Sequence, residues 1–107
     1  MQLVKEVYLI LDFLPSQERF ALSDQIRRAV VSIPSNIAEG YARHSDKEFL
    51  QFLYIARGSK AELDTQLEIA EMLGYLQHAQ LNEINIISEE IGKMLNKLIA
   101  TIKKASS

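Results

Sequence analysis

Apolar residues return every three or four positions along almost the whole chain, and no stretch sustains the alternation of a β-strand. The first such segment spans about residues 2–14, with Val4, Val7, Leu11 and Leu14 on one stripe, and Pro15 ends it. Ser16 is the expected cap of a second helix, in which Phe20, Leu22, Ile26, Ala29, Val30, Ile33, Ile37 and Tyr41 recur at helical spacing. Ser45 and Glu48 stand at capping-box spacing, so a third helix begins near Asp46. It runs to Leu73 with Phe49, Phe52, Leu53, Ala56, Leu63, Leu67 and Ala70 as its core stripe, and Gly74 supplies a left-handed stop. The fourth spans about 78–104 on a seam of Ile84, Ile87, Ile91, Met94, Leu98 and Ile102, with late lysines that suit the helix dipole. Short connections make consecutive helices antiparallel. The pattern therefore predicts an all-α fold, an up-down-up-down antiparallel four-helix bundle in one domain over residues 1–107.

Three features depart from a plain bundle pattern. Pro34 falls inside the second helix, where it removes a hydrogen bond to the Val30 carbonyl and predicts a kink; Ser32, Ser35 and Asn36 are placed to satisfy the freed groups. Gly58 and Gly92 sit inside helices at a cost of about 1 kcal/mol each relative to alanine. Antiparallel facing puts Gly58 opposite Ala29 and near Gly92, which predicts a layer of close backbone approach. Finally, Leu50, Tyr54, Ala61 and Met72 form a second apolar stripe on the third helix. Either a broad core absorbs these four, or they are an oligomer interface that a monomer would leave in water.

Composition narrows the class. A chain of 107 residues is long enough to bury a core, and the absence of cysteine excludes disulfides and thiolate chemistry. Lys5, Glu6 and Asp12 interrupt the apolar N-terminus, so it reads as a helix rather than a signal peptide, and no window is apolar enough to span a membrane. The expected location is the cytoplasm, with no membrane partner. The net charge of −2 conceals a division. Residues 19–60 carry seven bases against four acids, a net of +3, whereas residues 61–92 carry seven acids and no Lys or Arg. Such segregation marks either a surface that faces a polyanion or helices that pair basic against acidic neighbours.

Catalytic chemistry finds little support. His44 and His78 lie far apart, no Glu-x-x-His pair offers a metal site, and neither a metal nor a cofactor is expected. The run Ala-Arg-Gly-Ser-Lys lacks the strand and residue order of a phosphate loop. Ser32, Ser35 and Ser59 have no histidine at matching spacing, so no catalytic residue is assigned. Arg43 and Lys47, with Arg27, Arg28, Arg57 and Lys60, are the candidates for nucleic-acid binding, because guanidinium groups suit phosphate recognition. The competing reading is structural ion pairing: Glu62 falls within about a turn of Arg27 and Arg28, and Glu39 precedes Arg43 by four. Tyr41 beside them is either a base-stacking ring or a core residue at a helix end.

The segments QIRRAVVSIPSNIAEGYAR and KEFLQFLYIARGSKAELDTQLEIAEMLGYL resemble the small proteins encoded within intervening sequences of bacterial 23S rRNA genes. The resemblance covers essentially the whole chain, and the run Ser-Ile-Pro-Ser-Asn-Ile-Ala-Glu-Gly is its most specific part. It implies a four-helix bundle that assembles into a ring-like homo-oligomer, a pentamer. A related group of accessory proteins of diversity-generating retroelements implies a partner in structured RNA or a nucleic-acid-processing protein. The resemblance also implies a first helix truncated at its N-terminus, since Met1 falls inside it. A pI of 5.7 is below that of a strongly basic nucleic-acid binder. Three function classes follow: a non-catalytic oligomeric adaptor for RNA or a ribonucleoprotein, a protein–protein scaffold, and a mobile-element passenger that binds no nucleic acid.

Overall fold

The computed structural model describes residues 1–106, and these form four α-helices without a β-strand. They are α1 (Gln2–Leu11), α2 (Leu22–Tyr41), α3 (Asp46–Met72) and α4 (His78–Ser106). Each helix packs against its neighbours in sequence, and α1 closes the ring against α4. Gly40 approaches Phe52 and Ser32 meets Ser59, so α2 and α3 run antiparallel. Asp64 meets Ser88, Lys60 covers Gly92 and Arg57 reaches Asn96, so α3 and α4 do the same.

A main cluster around Leu3, Val7, Ile26, Val30, Ile33, Leu63, Leu67 and Ile84 joins all four helices. A smaller cluster of Leu53, Ala56, Leu95, Ile99 and Ile102 fills the end nearer the α2–α3 turn, where α1 does not reach. Burial of these side chains, at about 1.5–3 kcal/mol each, is what holds the helices together.

Several boundaries and faces differ from the sequence expectation. α1 stops at Leu11, three residues early, although Leu14 is still buried. Ser16 caps nothing; residues Ser16–Glu18 form one 3-10 turn, and α2 starts only at Leu22, after the irregular backbone of Ala21. Glu18 explains the detour, because it accepts a 2.9 Å hydrogen bond from the Tyr75 hydroxyl and ties this turn to the α3–α4 connection. Phe20 consequently lies outside the helix and is 88% exposed. On α4, Leu95 and Ile99 occupy the seam expected for Met94 and Leu98. Ser45 caps α3 as its spacing requires, accepting from the Glu48 amide at 3.2 Å, and Gly74 takes the left-handed conformation with φ 81°.

Pro34 lies within α2, which continues through it as one helix. The neighbouring polar residues do not serve the Val30 carbonyl. Asn36 Nδ2 donates to the Ser32 carbonyl and hydroxyl at 2.8 Å each, and the Ser32 hydroxyl pairs with Ser59 of α3 at 2.8 Å. Ser59 is buried, so this cluster fixes the α2–α3 register.

The glycine layer is not formed. Ser59, not Gly58, meets α2, and a Cβ added to Gly58 would touch nothing. The register is displaced by about one turn because the first turn of α3 extends past the end of α2. Gly92 is covered by the flexible Lys60 side chain instead of by backbone. The close approach is at Gly40, where an added Cβ would lie 2.7 Å from Phe52 Cβ and 3.0 Å from Phe49 Cδ1.

Candidate functional site

The contact at Gly40 shapes the α2–α3 end of the molecule. With Phe49 and Phe52 against the last turn of α2, the next residue, Tyr41, is turned outward and is 78% exposed. Its ring meets Phe49 edge-on at 5.8 Å. Arg43 follows, with its guanidinium 4.8 Å from the Phe52 ring centre and 2.6 Å from Glu39. Lys47 is exposed in the first turn of α3 and makes no ion pair among the described residues. An aromatic face and two cations thus share one exposed turn. Three acids, Glu39, Asp46 and Glu48, lie among them.

The other candidate cations lie elsewhere. Arg27 and Arg28 both pair with Asp24 on their own helix, at 3.4 and 3.2 Å, and not with Glu62, which receives Gln66 Nε2 instead. Arg27 also lies 5.9 Å from the Tyr8 ring, on the α1 side of α2. Arg28 is roughly 20 Å along the axis from Tyr41 at the end of α2. Arg57 and Lys60 face α4. Arg57 donates to Asn96 at 3.2 Å beside the Tyr54 ring, and Lys60 pairs with Asp64 at 2.8 Å, where Asp64 also accepts from buried Ser88 at 2.6 Å. The six bases therefore divide into three pairs. Exposed ion pairs such as Arg28 with Asp24 contribute only about 0–1 kcal/mol, so phosphate could compete for their cations.

The second stripe on α3 divides as well. Leu50 is half-buried against the smaller core cluster. Tyr54, Ala61 and Met72 face outward, with Met72 79% exposed. Gly58, Thr65 and Ile69 continue the same outer face, which carries no charge between Tyr54 and Ala61 except Arg57 and Lys60 turned toward α4. Ile55 and Ile69, at 51% and 39% exposure, were not picked out by periodicity. The available signal was that apolar residues surround α3 on nearly every side.

The sequence profile of 23S rRNA-intervening sequence proteins matches residues 1–97. This chain belongs to that family. A crystal structure of a protein of unknown function from the S23 ribosomal protein family of Bacteroides thetaiotaomicron is similar to it at 31% identity. The match covers 92% of each chain with a TM-score of 0.83, so the bundle is that of the solved relative. Among proteins of curated function none matches. As in the expectation from the sequence, no helix among the described residues of this intervening-sequence protein is long and apolar enough to cross a membrane.

Proposed function

We propose that this intervening-sequence protein is a non-catalytic homo-oligomeric adaptor for structured RNA or a ribonucleoprotein in the cytoplasm. The observation that carries the reading is the outer face of α3. Tyr54, Gly58, Ala61, Ile69 and Met72 leave it apolar or small and exposed, with the Arg57 guanidinium 5.2 Å from the Tyr54 ring centre at its edge. A contiguous patch of this kind is what a second copy would bury. The family resemblance, which implies a ring-like homo-oligomer, supports a closed cyclic assembly, a pentamer. Repetition around a ring would multiply a modest affinity of each Arg43–Lys47 turn, with Tyr41 available to stack on a base.

A second reading, a scaffold for proteins alone, is supported by the acids Glu39, Asp46 and Glu48, which outnumber the two bases at that turn. Titration of labelled structured RNA at low and moderate salt separates the two. The parent should bind with steep salt dependence, and an Arg43→Ala/Lys47→Ala double variant should bind more weakly and with a shallower slope. Absence of binding by the parent at low salt would leave the scaffold.

A further inference from the structure

The chain between α1 and α2 borders an open groove of about 470 Å³, whose polar wall is Asp12, Ser16, Arg19, Ser23 and Arg27. Several of its groups have no use inside the protein. α2 starts without a side-chain cap, since Ala21 holds the N-cap position. The Leu22, Ser23 and Asp24 amides precede the first hydrogen bond of the helix, from the Gln25 amide to the Ala21 carbonyl at 3.0 Å, and of these residues Ser23 lines the groove. Ser23 is 5% exposed and lines the groove, and no hydrogen bond among the described residues engages its hydroxyl. Arg19 has no carboxylate partner among the described residues and lies over the Phe20 ring at 5.6 Å. Arg27 makes a long 3.4 Å contact with Asp24, which also holds Arg28, and lies 5.9 Å from the Tyr8 ring centre.

We infer that this groove binds a phosphate monoester. Helix N-terminal amides present aligned donors and a positive dipole end to an anion. The Ser23 hydroxyl and two guanidinium groups on the same wall add directed donors, and guanidinium binds phosphate bidentately. To this donor set a monoester offers three terminal oxygens and close to two negative charges, where a phosphodiester offers two oxygens and one charge. The Asp12 carboxylate on the same wall opposes the ligand and keeps its affinity modest. Ser23 stands about 27 Å along α2 from Tyr41, so the site is independent of the turn bearing Arg43 and Lys47.

Amide NMR of the full chain, titrated with inorganic phosphate and with chloride at equal ionic strength, tests the site. The Leu22, Ser23 and Asp24 resonances should move saturably with phosphate and not with chloride. Arg19→Ala should weaken binding about tenfold, the loss of one charge-assisted hydrogen-bonded contact. Ser23→Ala should weaken it several-fold and Asp12→Asn should tighten it, while amides elsewhere keep their positions and so report an intact fold. A 5′-phosphorylated dinucleotide should displace the phosphate; failure to displace it overturns the monoester assignment and leaves a site for the free anion only. Resonance shifts equal to those with chloride, or indifferent to all three substitutions, overturn the proposal. Displacement by the 5′-hydroxyl dinucleotide overturns it too.

Discussion

At the scale of single residues, the glycines separate position from role. Gly40 is the one at which a side chain has nowhere to go: Phe52 Cβ, which is fixed close to backbone, lies 2.7 Å from the added atom. Gly40→Leu should therefore destabilise the protein by about 1–3 kcal/mol in urea denaturation. Gly58→Ala should act oppositely, raising the stability of the unassembled chain by up to about 1 kcal/mol, because it removes a helix-interior glycine into open space. Equal urea midpoints for the Gly40 variant and the parent would refute the close approach. The sequence shows that a helical glycine needs a reason, but the reason depends on register, and one turn of displacement moves it from Gly58 to Gly40. Tyr75 offers a pH test at the other end of the bundle. Its hydrogen bond to Glu18, then desolvation, raises its pKa above the ordinary 10.0. A raised folded value means that the tether contributes below pH 10.0 and is lost as pH rises through the folded value. The stability difference between parent and Tyr75→Phe should therefore shrink in urea titrations as the pH is raised past that point. A constant difference would show that the bond is not a determinant.

At the scale of elements, the stripes on α2 and α4 were legible where burial was one-sided and misread where a helix end was exposed. Ile26, Ala29, Val30 and Ile33 are core as their spacing requires, yet Phe20 and Tyr41, the two ends of the same stripe, are exposed. Periodicity assumes one continuous helix with a covering neighbour at every level, whereas Phe20 precedes the start of α2 and Tyr41, in its last turn, meets Phe49 edge-on and stays exposed. α3 is the opposite case, because its apolar residues exceed what one core face can take. Tyr54→Glu tests whether the surplus is an interface. The new carboxylate would stand one turn from Arg57, whose guanidinium already lies 5.2 Å from the Tyr54 ring centre, so the isolated fold can accommodate it. Light scattering coupled to size exclusion should show the parent as a multiple of 12.2 kDa and the variant as a single chain of unchanged helicity. Gly58→Leu, which meets no atom of its own chain, should dissociate the assembly in the same way. A parent that runs as one chain at micromolar concentration would end the assembly reading.

At the scale of the whole molecule, the charge division read from residues 19–60 does not become one basic surface. The molecule extends 47 Å along its axis, and its candidate bases are distributed between the α1 side of α2, the α2–α3 turn and the α4 side of α3. Sequence counting could not separate these, because antiparallel helices bring distant segments together and send adjacent ones apart. A single chain therefore offers only Arg43 and Lys47 at one exposed turn, with three acids close by. Two phosphate contacts give weak binding with a shallow salt slope. A useful affinity would have to come from several turns acting on one RNA, with the second contact favoured by effective concentration. Assembly and RNA binding are then coupled, and the coupling can be measured without touching a single cation. Tyr54→Glu, placed more than a helical turn from Lys47, keeps both turn bases. It should nevertheless lose RNA affinity by more than the Arg43→Ala/Lys47→Ala variant loses per subunit, and its logarithmic salt slope should fall to that of about two contacts. Low-salt titrations of the same labelled RNA, with the mass of each protein measured at the titration concentration, give the comparison. A dissociated Tyr54→Glu chain that binds as tightly as the parent would separate the two properties, leaving the proposed α3 interface without a part in nucleic-acid recognition.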